Sequence, residues 1–301
     1  DTAMMASLLE SRAEGGHILF IGDCNQLAPV GYGAPLRDMI AANVSHGELT
    51  EIQRNSGRIV KACGEIIDRS RFNTSEKVDL DAGENLVLVE RLDAESQIDT
   101  LAAMMLGIPK KYESIDPIWD IQVVVAVNTK SELGRKPLNL KLQELLNPDG
   151  RRVTNNPFRV GDKIINTKNS YFKTVIDDPF ADSSEETIQA YVANGEQAEV
   201  LDVDSTKIIA RLTSPDRTIL IPRSAKRTSN DGDEPDQTNG DTGEQEESTG
   251  SGCTWELAYA ISGHKSQGSE WPIVIVMADD SGPAKRVQSK QWLYTAISRA
   301  K

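Results

Sequence analysis

Long apolar runs are missing from this sequence. The two longest, Val123 to Val127 and Ile273 to Ala278, fall far short of the roughly 20 residues that a membrane helix requires. Neither a membrane span nor a signal peptide is expected. Cysteine and histidine are equally scarce. Cys24, Cys63 and Cys253 are too few and too far apart for a disulfide framework or a zinc cluster, and His17, His46 and His264 add no ligand spacing. A reducing, cytosolic setting is the expectation. Basic charge is also short, with 33 Lys and Arg against 46 Asp and Glu and a net charge of -13. Such a balance argues against a broad basic surface that coats nucleic acid, although it leaves room for a local groove.

What is present is enough for a globular chain. With 301 residues, 38% of them hydrophobic, the sequence can bury one large core or two modest ones, and domain size favours two. The excess acid is concentrated. Between Ser224 and Gly252, Lys226 and Arg227 face Asp231, Asp233, Glu234, Asp236, Asp241, Glu244, Glu246 and Glu247, so this stretch supplies -6 of the -13. It holds almost no apolar residue and cannot offset its ordering entropy, so a disordered insertion is expected there. No internal repeat is evident. The chain opens on Asp1 rather than Met and stops at Lys301 inside a predicted helix, so both ends are expected to be cut.

Along the chain, a helix over Ala3 to Ala13 leads into a predicted strand, His17 to Ile21, that ends in the turn-rich GDCNQLAPVGYG. A strand running into a polar loop and then a helix is the rhythm of α/β folds, whose ligands sit at strand carboxyl ends. Helices at Gly57 to Arg69 and Ala94 to Leu106 and strands at Leu86 to Val89 and Ile121 to Val127 follow. LNLKLQELLN reads as a helix with Leu138, Leu142 and Leu145 or Leu146 on its apolar face. From Pro157 the segments FRVGDKIINT, AEVLDV, TKIIARLT and RTILIP suggest short strands of a small antiparallel barrel. The α/β pattern then resumes with strands at Trp255 to Ile261 and Ile273 to Met277 and a final helix from Ser289. The barrel is therefore expected as an insertion within an α/β domain.

Four segments carry candidate chemistry. GDCNQLAPV follows a predicted strand, and EIQRN places Arg54 just before a helix. SGHKSQGSEW joins two strands and combines Ser, His, Lys and Gln with a Gly that lets backbone approach a ligand. LYTAISRAK puts Arg299 on the last helix. Singly each is ordinary; in this order they are specific. The four resemble, respectively, motifs III, IV, V and VI of the RecD-like superfamily 1B helicases. VNTKSELGRKPLNLKLQELLNP and FRVGDKIINTKNSY with VANGEQAEV resemble the family's segment ahead of its barrel and the barrel itself.

The resemblance implies RecA-like parallel-sheet motor lobes, the first only partial, with ATP between them and a small inserted antiparallel β-barrel. Residues 1–50 would be the end of the first lobe, 51–156 and 253–301 the two parts of the second, 157–223 the barrel and 224–252 the acidic loop. Phosphoryl transfer needs donors aimed at charge on the γ-phosphate. The resemblance gives that task to Gln26, Arg54 and Arg299, places Gly22, Asp23, Gly268 and Glu270 around the nucleotide, and assigns DNA phosphate contacts to Ser262, His264 and Lys265. It implies 5′-to-3′ unwinding, single-stranded DNA and duplex ends or forks as substrates, nuclease or replication partners, and the cytoplasm of a bacterial or phage-infected cell. The departures matter too. The sequence contains no G-x-x-x-x-G-K-[ST] phosphate loop and no Asp-Glu pair before Gly22, so Mg2+ ligands are expected outside this chain, which would then be inactive alone. The alternative is a non-catalytic DNA-binding module that retains the motifs as relics.

Overall fold

The structure, a computed structural model, describes residues 1–49, 56–68, 71–175, 189–224 and 252–301. The helices are α1 (Thr2–Glu10), α2 (Pro35–Ala41), α3 (Gly57–Ile67), α4 (Ala94–Lys111), α5 (Arg135–Leu146), α6 (Gly282–Val287) and α7 (Lys290–Ile297). The strands are β1 (Ile121–Val125), β2 (Lys163–Asn166), β3 (Ser170–Thr174), β4 (Gln189–Val192), β5 (Gln197–Val203), β6 (Lys207–Thr213), β7 (Asp216–Pro222), β8 (Trp255–Leu257), β9 (Ala260–Ser262) and β10 (Ile273–Val276). They form two compact units, one of Asp1–Pro137 with Ile261–Lys301 and one of Leu138–Ala260.

The first unit is built on a three-stranded sheet in the order β10-β1-β9. β1 and β10 run parallel in the register Ile121↔Ile273 to Val124↔Val276. Every residue of β1 is buried, as a strand covered on both faces requires, and its unbroken run of Val reflects that. Helix α7 starts where Ser289 caps it, its hydroxyl accepting from the Trp292 N–H. The helix buries residues on two sides. Trp292 and Ala296 pack with Val124, Val127 and Ala284, while Ile297 joins Ile59, Cys63 and Ile66 of α3.

The second unit carries a seven-stranded sheet in the order β4-β3-β7-β6-β5-β2-β8. All six pairings are antiparallel. Alternate residues of β6 (Ile208, Ala210 and Leu212) enter the core, as the two-residue period of a half-buried strand demands. A register shift between Val200 and Asp202 breaks that alternation in β5. Immediately before β2 lies the buried Asp162 carboxylate. It accepts from the Arg159 N–H (2.7 Å), Asn147 Nδ2 (2.7 Å), Gln143 Nε2 (2.5 Å) and the Tyr259 hydroxyl (2.8 Å). Four donors offset the cost of burying this group, yet burial still raises its pKa above the usual carboxylate value.

Several expectations are corrected. The α/β class and a separate antiparallel sheet are found, but β4 and β8 end the described sheet without pairing to each other, so the ladder is open rather than a closed barrel. His17 to Ile21 is not a strand: no described residue offers it a ladder, and Leu19 and Ile21 stand exposed. Leu86 to Val89 is reduced to a single bridge, Ser75↔Val87, beside which the Ser75 N–H donates to the Leu86 carbonyl. The predicted strand Trp255 to Ile261 is divided. β8 pairs with β2 in the seven-stranded sheet, and β9 lies beside β1 in the other. Arg54 and residues 225–251 of the acidic segment lie outside the described residues. At the base of that segment the Ser224 N–H donates to the Gly252 carbonyl at 2.8 Å.

Candidate functional site

The site assembles in the first unit from two turns and a helix. The GDCNQ turn folds on its own aspartate. One Asp23 oxygen accepts from the Asn25 N–H (2.9 Å), and the other accepts from Gln26 Nε2 (3.1 Å). That second oxygen also accepts from the Tyr294 hydroxyl of α7 at 3.0 Å. One residue beyond Gln26, the Leu27 N–H donates to Thr295 Oγ1 (3.0 Å), and the Leu27 carbonyl accepts from Gln267 Nε2 (3.0 Å). Residues 23–27 are thus pinned by side chains from both LYTAISRAK and SGHKSQG.

The SGHKSQG turn leaves β9 and is itself closely held. The Gly263 N–H donates to the Val125 carbonyl (3.3 Å), the Ser266 hydroxyl donates to the Gly263 carbonyl (2.8 Å), and the Ser266 N–H donates to the Ser262 carbonyl (3.1 Å). Gly263 lies against Trp292 so closely that a Cβ there would stand 2.6 Å from Nε1. Gly268 has φ +83 with open space where a side chain would go, a conformation that favours glycine and leaves its backbone accessible. His264 is exposed and Lys265 half-buried, and the Lys265 N–H reaches Ser262 Oγ at 3.4 Å.

Arg299 follows α7 and is 1% exposed. Its Nε donates to the Thr295 carbonyl (3.1 Å), one terminal nitrogen to Ser298 Oγ (3.0 Å) and the other toward the Ser269 carbonyl (3.5 Å). The Trp271 N–H donates to the Arg299 carbonyl (3.0 Å), and Glu270 pairs with Lys301 (2.7 Å). The segment holding Gly268 and Glu270 is therefore stitched to the end of α7. Burial is the main reason that the Cys63 thiol is pushed up to about 11, with Arg299 opposing the shift and Asp23 adding to it. The Tyr294 phenol is raised first by burial and then by Asp23.

Of the expected residues, the structure brings Asp23, Gln26, Gly268, Glu270 and Arg299 onto these connected elements, with Gly22 at the exposed entry to the first turn. Ser262, His264 and Lys265 belong to the same SGHKSQG turn. Sequence reasoning missed Tyr294, Thr295 and Gln267. They stand within quoted motifs, but their partners lie 271, 268 and 240 residues away. Among the described residues no group of three His, Cys, Asp or Glu is arranged to hold a metal, and no helix is long and apolar enough to cross a membrane.

Residues 257–301 match the UvrD-like helicase C-terminal domain, and residues 1–84 match an AAA domain. Over 303 aligned residues the chain is 26% identical to the ATP-dependent RecD2 DNA helicase of Deinococcus radiodurans. Over these segments the chain is similar to helicases of the RecD type. The alignment takes in 99% of the chain but spans only 33% of that relative's length. Among solved structures, the Bacteroides Pif1 helicase in complex with ADP-AlF3 and ssDNA is similar at 16% identity and TM-score 0.44, covering 93% of this chain and 59% of that one. The Candida albicans Pif1 helicase is similar at 18% identity and TM-score 0.31, covering 83% and 52%.

Proposed function

We propose that this chain is the γ-phosphate-sensing and arginine-bearing part of an ATP-dependent DNA helicase that translocates 5′-to-3′ on single-stranded DNA and unwinds duplex ends or forks. The observation that carries the reading is the pinning of residues 23–27 by Thr295, Tyr294 and Gln267. It joins three motifs, which a motor needs if hydrolysis at one is to move another. In this reading residues 1–50 close the first RecA-like lobe, and 51–156 with 253–301 form the second. Gln26 faces the γ-phosphate from one lobe, and Arg54 and Arg299 from the other. Gly268 offers backbone to the same phosphate, Glu270 accepts from the ribose, and Ser262, His264 and Lys265 meet the DNA phosphate chain.

Developing charge on the transferred phosphoryl group is stabilised by fixed donors, and positioning supplies most of the acceleration. Arg299 is fixed by Thr295 and Ser298, so its guanidinium is held before nucleotide arrives. Among the described residues no group of three His, Cys, Asp or Glu is arranged to hold Mg2+. The sequence also lacks a phosphate loop. The 301-residue chain expressed alone is therefore expected to hydrolyse ATP no faster than a buffer control, whereas the complete protein should show turnover stimulated by single-stranded DNA. Hydrolysis by the purified chain alone would contradict this assignment. A complete protein that binds DNA without hydrolysing ATP would favour a binding module instead.

A further inference from the structure

One oxygen of Asp23 serves two donors that lie far apart in sequence, Gln26 Nε2 at 3.1 Å and the Tyr294 hydroxyl at 3.0 Å. An ionised carboxylate only accepts hydrogen bonds. The amide nitrogen of Gln26, not its oxygen, must therefore face Asp23, which fixes which way round the carboxamide sits. Its Oε1 and second N–H are left to meet whatever occupies the site. Such a face can accept from an attacking water while donating to a phosphate oxygen. Burial and the neighbouring Asp23 raise the Tyr294 phenol, so its O–H remains a donor at neutral pH. Next to it on α7, Thr295 accepts from the Leu27 N–H, which prevents the turn from sliding along the helix.

We infer that Asp23 and Tyr294 are positioning residues through which helix α7, the element that leads to Arg299, sets the orientation of the Gln26 carboxamide. The inference rests on the reading of Gln26 as a γ-phosphate sensor. It adds that the sensor's orientation is borrowed from the helix that leads to Arg299 through one shared carboxylate oxygen. If α7 shifts relative to the GDCNQ turn, Gln26 loses its orientation in the same movement. Hydrolysis is then confined to the arrangement in which both elements are seated.

The test uses the complete helicase with saturating single-stranded DNA and titrated ATP. Tyr294→Phe removes one oxygen and keeps the ring. It should lower kcat about 10-fold, equivalent to about 1.4 kcal/mol and in the range for the net worth of one hydrogen bond, while KM for ATP stays within about twofold. Asp23→Asn, which leaves one acceptor oxygen where Asn25 on one side and Gln26 with Tyr294 on the other now use two, should behave alike. Adding Tyr294→Phe to Gln26→Ala should slow turnover no further, since both act through one carboxamide. Wild-type kcat in Gln26→Ala would sink the sensor reading, and this inference with it. A large loss in Gln26→Ala with none in Tyr294→Phe would overturn the inference alone. So would a Tyr294→Phe effect that multiplies with Gln26→Ala and follows a lowered thermal midpoint, because that pattern belongs to packing.

Discussion

Gly263→Ala should destabilise the first unit through one contact. The new Cβ would stand 2.6 Å from Nε1 and 2.8 Å from Cδ1 of Trp292, and 3.5 Å from Cδ1 of Leu27. Favourable carbon contacts lie at about 3.5–4.0 Å, so something must move by nearly an ångström. The indole cannot yield cheaply, being 1% exposed and packed against Val124, Val127, Ala284 and Ala296. Nor can the backbone, which is bonded to the Val125 carbonyl and the Ser266 hydroxyl. Overpacking of this kind costs about 1–3 kcal/mol, and the rigid surroundings place Gly263→Ala near the upper end. Gly268→Ala is the control, since nothing lies within 4 Å of its Cβ and only φ +83 opposes it, a strain of about 1–2 kcal/mol. Denaturant unfolding and near-UV circular dichroism of both variants make the comparison. Gly263→Ala should alter the tryptophan signal as well as the midpoint, Gly268→Ala the midpoint alone. Trp292→Phe should relieve part of the Gly263→Ala penalty. A Gly263→Ala variant within about 0.5 kcal/mol of the parent and with an unchanged tryptophan signal would refute the packing argument.

Other outcomes follow from the same contacts. Thr295→Val keeps the shape of a fully buried side chain but removes the acceptor of the Leu27 N–H, so that amide should exchange faster at a cost of about 1–2 kcal/mol; unchanged exchange at Leu27 would contradict this. Asp162 has a folded pKa raised above its ordinary 3.8, so in the window above that value the folded chain binds more protons than the unfolded one. Its contribution to stability is therefore present at low pH and lost as pH rises through the raised pKa, and Asp162→Asn should flatten that part of the curve; parallel curves for parent and variant would show the sign is wrong. Replacing residues 225–251 with a short Gly-Ser linker should leave the unfolding midpoint unchanged, because the segment offers nothing to a core. A loss above about 2 kcal/mol would mark it as structural.

Elements whose cause is local were legible in the sequence. The valines of β1 announce a strand buried on both faces, Ser289 announces the start of α7, and Leu138 and Leu142 mark the inward face of α5. Where formation depends on a distant partner, sequence fails. His17 to Ile21 has the composition of a strand but no described ladder, and nothing in Trp255 to Ile261 signals that Leu257 will pair with Ile164 while the following strand flanks β1. The motifs singled out Asp23, Gln26 and Arg299 as candidates but gave no sign that Asp23 would accept from Tyr294 of α7. Arg299 lies in the turn after α7, where its guanidinium is held by the Thr295 carbonyl and the Ser298 hydroxyl.

In the proposed reading the guanidinium after α7 acts on the γ-phosphate. Arg299→Lys in the complete protein keeps the charge but loses the planar fork, so it is the preferred substitution at a buried position. Thermal melting of the variant confirms that the fold survives before activity is read. Steady-state ATPase with saturating single-stranded DNA, paired with nucleotide titration, is the measurement. An arginine acting on the transition state contributes about 10³ to 10⁵ in kcat, so turnover should nearly vanish while nucleotide affinity changes little. Arg54→Ala should behave alike, and the double variant should be scarcely slower than either single. A folded Arg299→Lys protein that retains wild-type kcat would contradict the account and leave Arg299 a packing residue.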